Sequence, residues 1–207
     1  MSWRLVCAVA CAVVAFMPIG CAQRGLADMP AVTPAVASGV APAVALYGSG
    51  RLAAPNPVET AVTYNPAAAP IGAALAATMT PSANSTVAEL VVSGLLPNRG
   101  YAVHAHTRVC GATGEAAGPH YQNRIDPAAT PQAPSTDPEY ANPSNEIWLD
   151  VRTDAAGSGT SQTTVPFLFT ERAPGSIVVH EAMATATQRG QAGQAGARLA
   201  CLVLSRR

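Results

Sequence analysis

The chain contains four histidines, and they fall in three short motifs. His104 and His106 lie in Tyr101-Ala102-Val103-His104-Ala105-His106, His120 in Gly118-Pro119-His120, and His180 in Val178-Val179-His180-Glu181. A β-strand alternates its side chains between two faces, so His104 and His106 point to the same side. Neutral imidazole suits copper, and a tetragonal nitrogen site favours Cu(II). Taken alone, H-x-H on a strand reads equally well as two polar residues on a solvated face. The residues around the motifs carry the argument further.

Gly94 to His106, Gly-Leu-Leu-Pro-Asn-Arg-Gly-Tyr-Ala-Val-His-Ala-His, is followed by Cys110-Gly111 and by Ala117-Gly118-Pro119-His120-Tyr121-Gln122. This stretch resembles the copper-binding core of the Cu,Zn superoxide dismutase family. Ser176-Ile177-Val178-Val179-His180-Glu181 is similar to the strand that carries the family's last copper ligand. Ala195-Gly196-Ala197-Arg198-Leu199-Ala200-Cys201 is similar to its C-terminal arginine and disulfide block. The blocks stand in family order and lie within Ala61 to Leu204.

The resemblance implies that His104, His106, His120 and His180 bind copper, with His120 at the position that bridges copper to zinc in two-metal members. It implies that Arg198 attracts an anionic substrate beside the metal and that His120 helps to deliver a proton. The physics of Arg198 agrees: a permanently charged guanidinium near an open metal position concentrates a small anion and speeds its capture. The implied activity is that of an exported copper-dependent superoxide dismutase, converting superoxide to oxygen and hydrogen peroxide by Cu(II)/Cu(I) cycling. The alternative is an envelope copper-binding module that sequesters or carries the metal, keeping the four histidines without needing Arg198.

The sequence departs from the family on the zinc side. Two-metal members hold zinc with the bridging histidine, two further histidines and an aspartate in the following loop, whereas no histidine lies between His120 and His180 here. Asp126, Asp137, Glu139 and Glu146 remain, but zinc sites draw on several His or Cys ligands. The expectation is copper without zinc. His120 then needs a new partner for its second ring nitrogen, because ligand histidines are oriented that way. Glu146 is the first candidate and Asp150 the second, against the alternative that both are solvated strand-end charges. Met183 to Gly196 contains no acidic residue and no lysine. Arg189 either adds to anion guidance or is a solvated loop arginine.

At 207 residues and net charge zero, the chain accommodates one domain with appendages and has no electrostatic reason to bind nucleic acid. Residues 1–20 have the charged start and short apolar run of a secretory signal, too short for a comfortable membrane span. Pro18-Ile19-Gly20-Cys21 resembles the bacterial lipobox, with Cys21 lipidated; ordinary signal-peptidase cleavage nearby is the alternative. The chain is thus expected to be exported and lipid-anchored to the cell membrane, on its extracellular or periplasmic side.

Cys7 and Cys11 fall in the removed segment and Cys21 is the lipidation candidate, leaving Cys110 and Cys201. In an exported protein such a pair reads as a disulfide, as the resemblance also implies, with two buried free thiols as the alternative. Residues 21–57 are rich in Ala and Pro and read as a tether or as plain disorder, with Val44–Leu52 a candidate edge strand.

Residues 58–207 carry short β-type runs broken by Pro, Gly and Asn, as an all-β sandwich or barrel requires. The expected strands are Ala61–Asn65, Ile71–Thr80, Thr86–Gly94, Tyr101–Thr107, Glu146–Thr153, Thr163–Phe169, Ser176–His180 and Arg198–Leu204. Eight strands match the family's Greek-key barrel. The segments Gly111–Asn145 and Glu181–Ala197 are long for structureless loops. The resemblance makes them the metal-site loop and the electrostatic loop.

Overall fold

The computed structural model describes residues 42–130 and 132–207. The expected signal segment 1–20, the candidate lipidation site Cys21 and the part of the expected tether through residue 41 lie outside the described residues. No helix among the described residues is long and apolar enough to cross a membrane.

The fold is all-β. Its strands are β1 (Leu46–Arg51), β2 (Ala61–Thr63), β3 (Ala74–Ser82), β4 (Ser85–Ser93), β5 (Gly100–Tyr101), β6 (Val103–His106), β7 (Val151–Arg152), β8 (Gly159–Val165), β9 (Ser176–His180), β10 (Arg198–Val203) and β11 (Ser205–Arg206). Neighbouring strands pair antiparallel in a five-stranded sheet of order β11-β1-β3-β4-β8, a four-stranded sheet of order β2-β10-β9-β6, and the pair β5-β7. Among the described residues, none of the sheets closes into a barrel.

Sequence alternation explains the five-stranded sheet. Leu75, Ala77 and Met79 of β3 and Ala88, Leu90 and Val92 of β4 are buried, whereas Ala76, Glu89 and Val91 between them are exposed. A period of two thus places one face on the core and the other in water. The inward residues of the four-stranded sheet, including Val103, Ala105, Ile177, Val179 and Leu202, complete the same core cluster.

Several boundaries differ from expectation. Val44–Leu52 was expected at a sheet edge within the tether; β1 instead lies between β11 and β3, so the folded part begins well before residue 58. Leu46 and Leu52 anchor this segment in the core despite its Ala- and Pro-rich surroundings. The Tyr101–Thr107 run divides at Ala102, whose N–H donates to Ala182 O rather than to a strand. Of Glu146–Thr153, only Val151–Arg152 forms a regular strand, although isolated bridges at Glu146 and Trp148 and the Leu149 N to Val103 O bond extend the alignment. β8 ends at Val165, just before Pro166, which has no ladder donor.

Candidate metal centre

Register on the four-stranded sheet assembles the site. His104 stands opposite Val178, His106 opposite Ser176 and Arg198 opposite His180, all on the face turned away from the core. Ala200 pairs with Val179 and Arg198 with His180, leaving Leu199 as an extra residue in β10. This bulge sends Leu199 into the core and turns Arg198 onto the histidine face; a regular strand would have pointed Arg198 inward. His120 arrives from the long loop through a bridge to His106.

The four histidines each offer a ring nitrogen, and these atoms lie within 4.8 Å of one another. This buried cluster could hold a metal ion. Two metal–nitrogen bonds of about 2.1 Å on opposite sides of an ion span about 4.2 Å, so a separation of 4.8 Å closes by about 0.6 Å in that most open arrangement.

The hydrogen bonds around the rings leave one nitrogen on each for that role. His106 Nδ1 is 2.9 Å from Gly118 O, which can only accept, so the proton belongs on Nδ1 and Nε2 is free. His180 Nδ1 makes a longer contact of 3.4 Å to Gly196 O by the same logic. The two Nε2 atoms thereby face each other at 3.2 Å with lone pairs opposed, an arrangement that a cation between them relieves. His104 Nδ1 is buried and has no hydrogen-bond partner among the described residues. An orphaned buried nitrogen beside three others fits a missing ligand bond.

Burial keeps these imidazoles neutral. It is the first cause that pushes His104 and His106 well below the ordinary histidine range, followed by the charge of neighbouring histidines. Burial and His120 likewise push His180 down to about 3, opposed by its bond to Gly196 and aided by the positive charge of Arg198. Neutral imidazole is the form that binds metal.

His120 differs from the other three. Its side chain is 19% exposed, whereas those residues are at most 3% exposed. It opens, with Arg198 and Glu146, onto a cavity of about 580 Å³ bounded by loop residues such as Ser135, Thr136 and Gln194. The opposite ring nitrogen, Nδ1, lies 2.9 Å from Glu146 Oε2. Glu146 is 1% exposed and also accepts from Trp148 Nε1 at 2.7 Å and Gln122 Nε2 at 2.8 Å. A carboxylate held by three donors orients the ring so that Nε2 faces the cluster.

Asp150 reaches the site indirectly. Its Oδ1 is 4.0 Å from His104 Nε2, and Thr185 fills the gap: Thr185 Oγ1 lies 2.6 Å from that nitrogen and 2.7 Å from Asp150 Oδ1. The other loop acids serve local structure. Asp126 accepts from Ser135 Oγ and Ala128 N, Asp137 from Glu139 N, and Glu139 pairs with Arg124. Arg189 is exposed.

Arg198 donates from Nη1 to Gly114 O at 2.8 Å. Gly114 has no side chain for a reason of space, since a Cβ there would sit 2.7 Å from Arg198 Cβ. Gly118, which holds His106, adopts φ 74°, and a Cβ would meet Thr107 Oγ1 at 2.5 Å. The segment that contains both is tied to β10 by the Cys110–Cys201 disulfide, across a separation of 91 residues. Closing such a loop contributes about 4–5 kcal/mol in the chain-entropy model. Val62, Val178 and Ala117 pack around Cys201.

Thr185, Gln122 and Trp148 were not singled out by sequence. No spacing marks them, because each acts through a contact between distant segments. No family model and no curated protein matches the chain.

Proposed function

We propose that this protein is a single-metal oxidoreductase of the Cu,Zn superoxide dismutase type. More specifically, we propose a copper-dependent superoxide dismutase that works without zinc. The observation that carries the reading is the convergence of four imidazole nitrogens within 4.8 Å on the face that the β10 bulge gives to Arg198. Imidazole donors without a carboxylate suit copper. On this reading the five- and four-stranded sheets, without the two-residue edge strand β11, correspond to the family's eight-stranded Greek-key fold. Residues 111–145 are then its metal-site loop and 181–197 its electrostatic loop.

His104 Nδ1, His106 Nε2, His120 Nε2 and His180 Nε2 would hold the metal. Copper there would supply one-electron chemistry, oxidising one superoxide to oxygen and reducing the next to hydrogen peroxide. Arg198 attracts the anion to the site by its fixed charge, and its bond to Gly114 O holds the guanidinium in place. His120, the least buried of the four imidazoles, is placed to hold a proton at Nε2 whenever that nitrogen is not bound to metal, and to pass it to reduced substrate. The Glu146 carboxylate holds that ring from its other side, at Nδ1. Glu146 thus stands where two-metal members of the family have zinc.

The Cys110–Cys201 disulfide supports export, because such bonds persist in oxidising compartments. The lipid anchor at Cys21 would hold the domain at the outer or periplasmic side of the cell membrane.

Copper loading followed by a superoxide-consumption assay tests the reading. One copper per chain is expected, with turnover that falls as salt is added, because ions screen capture of an anion. Arg198→Ala is expected to lose roughly ten-fold or more of the capture rate, with most of the salt dependence. One copper per chain with negligible turnover would instead identify a copper-sequestering module.

A further inference from the structure

The loop between β9 and β10 touches a ligand side chain through one hydroxyl. Thr185, 8% exposed, reaches His104 Nε2 at 2.6 Å, and the same oxygen lies 2.7 Å from Asp150 Oδ1. A hydroxyl has one proton to donate. The Asp150 carboxylate accepts from each of its neighbours, so that proton goes to Oδ1. The Thr185 oxygen must then accept from His104, which places the imidazole proton on Nε2.

The direction of the chain is fixed at its far end. Asp150 also accepts Thr185 N–H at 2.7 Å on Oδ2 and Val103 N–H at 3.1 Å on Oδ1. Three donors converge on one carboxylate, and two of them come from the same loop residue. With Nε2 protonated, His104 Nδ1 keeps its lone pair, and this is the buried nitrogen that has no partner. The loop therefore determines which nitrogen of a strand histidine is free.

We propose that Thr185 is a positioning residue that, clamped by Asp150, fixes the Nε2-protonated tautomer of His104 and thereby prepares Nδ1 to take a metal. This inference rests on the metal-centre reading but concerns a property that exists before metal binds. The rest of the loop has its own supports, including Ala182 O accepting from Ala102 N and the Ala186–Gln194 and Ala186–Gly193 bonds. Removal of the hydroxyl alone is therefore expected to leave the loop in place.

Thr185→Val keeps the branched shape and removes the hydroxyl, and Thr185→Ser keeps the hydroxyl. Asp150→Asn presents one acceptor oxygen where the carboxylate has two, so it cannot satisfy all three donors. Nitrogen-15 NMR of the metal-free full chain reads the tautomer directly. The wild type and Thr185→Ser are expected to carry the His104 proton on Nε2, with Thr185→Val and Asp150→Asn shifted to a mixture or to Nδ1. Copper affinity, measured separately by competition with a chelator, is expected to fall about 10–100-fold in the latter two variants, the usual loss for an outer partner of a ligand. Because the two residues act in one chain, the double variant should lose little more than either single one.

An unchanged tautomer in Thr185→Val, or a Thr185→Ser protein that behaves like the valine variant, would overturn the proposal. If Thr185→Val does not fold, Asp150→Asn decides by the same readout. A wild-type chain that fails to bind copper would contradict the metal-centre reading, while the metal-free tautomer would still decide this one.

Discussion

Val91 and Val178 both lie on the outward faces of their sheets, yet Val91 is 51% exposed and Val178 is 0% exposed. The five-stranded sheet follows the ordinary pattern, one face dry and one wet. The four-stranded sheet is dry on both. All five residues of β9 and all four of β6 are buried, because the loops after β6 and β9 cover their outer face. Strand alternation alone would have exposed the histidines of that face. Loop cover converts a polar strand surface into a desolvated one, where imidazoles stay neutral and their orientation is set by hydrogen bonds.

That contrast can be broken most sharply at the two sheets' own residues. His180→Ala is expected to weaken copper binding by more than about 100-fold, beyond the loss typical of an outer partner. Leu90→Ala is expected to lower unfolding free energy by about 2–5 kcal/mol while leaving copper per folded chain unchanged. Metal stoichiometry after dialysis and denaturant titration read the two effects separately. If both variants lost copper equally, the sheets would not divide the work in this way.

A pH series on the metal-free protein sharpens the same difference. His104, His106 and His180 are depressed in the folded state, so the unfolded chain takes up protons first as pH falls. Stability is therefore at its full value above about pH 6.5, the ordinary histidine value. It declines below that, continuing to about pH 3 for His180. Each such histidine contributes a slope of up to about 1.4 kcal/mol per pH unit. Replacing His180 should flatten the slope, and an unchanged slope would mean that this ring is not held neutral by burial.

The smallest effects come from the two valines. Val178→Thr buries a hydroxyl and is expected to lower stability by about 1–3 kcal/mol. Val91→Thr is expected to stay within about 0.5 kcal/mol of wild type. Equal losses at both positions, measured by denaturant midpoint, would argue against loop cover on the four-stranded sheet.

The sequence made some of this legible and concealed the rest for definite reasons. His104 and His106 share a face because a strand repeats every two residues, and that rule is local. Ser176–His180 was readable to the residue because it is a continuous apolar run ending at a histidine. The pairing of Cys110 with Cys201 followed from the resemblance and from the expectation of export. Glu146 was chosen from the resemblance, because His120 needed a partner on its far side. Thr185 was not readable, since its role depends on a loop folding back against Asp150, 35 residues earlier. The β10 bulge was equally hidden: Arg198-Leu199-Ala200 looks like an ordinary strand start, and only the register with β9 reveals the extra residue. β1 was read as a strand at an edge, because nothing in Ser205–Arg206 suggests that the chain end would pair beside it.

The most direct measurement is anomalous diffraction at the copper absorption edge from crystals of the copper-loaded protein. One strong peak is predicted, bounded by His104 Nδ1, His106 Nε2, His120 Nε2 and His180 Nε2, with Glu146 still bonded to His120 Nδ1. Copper bound elsewhere, or a second metal displacing Glu146 from His120, would contradict the account.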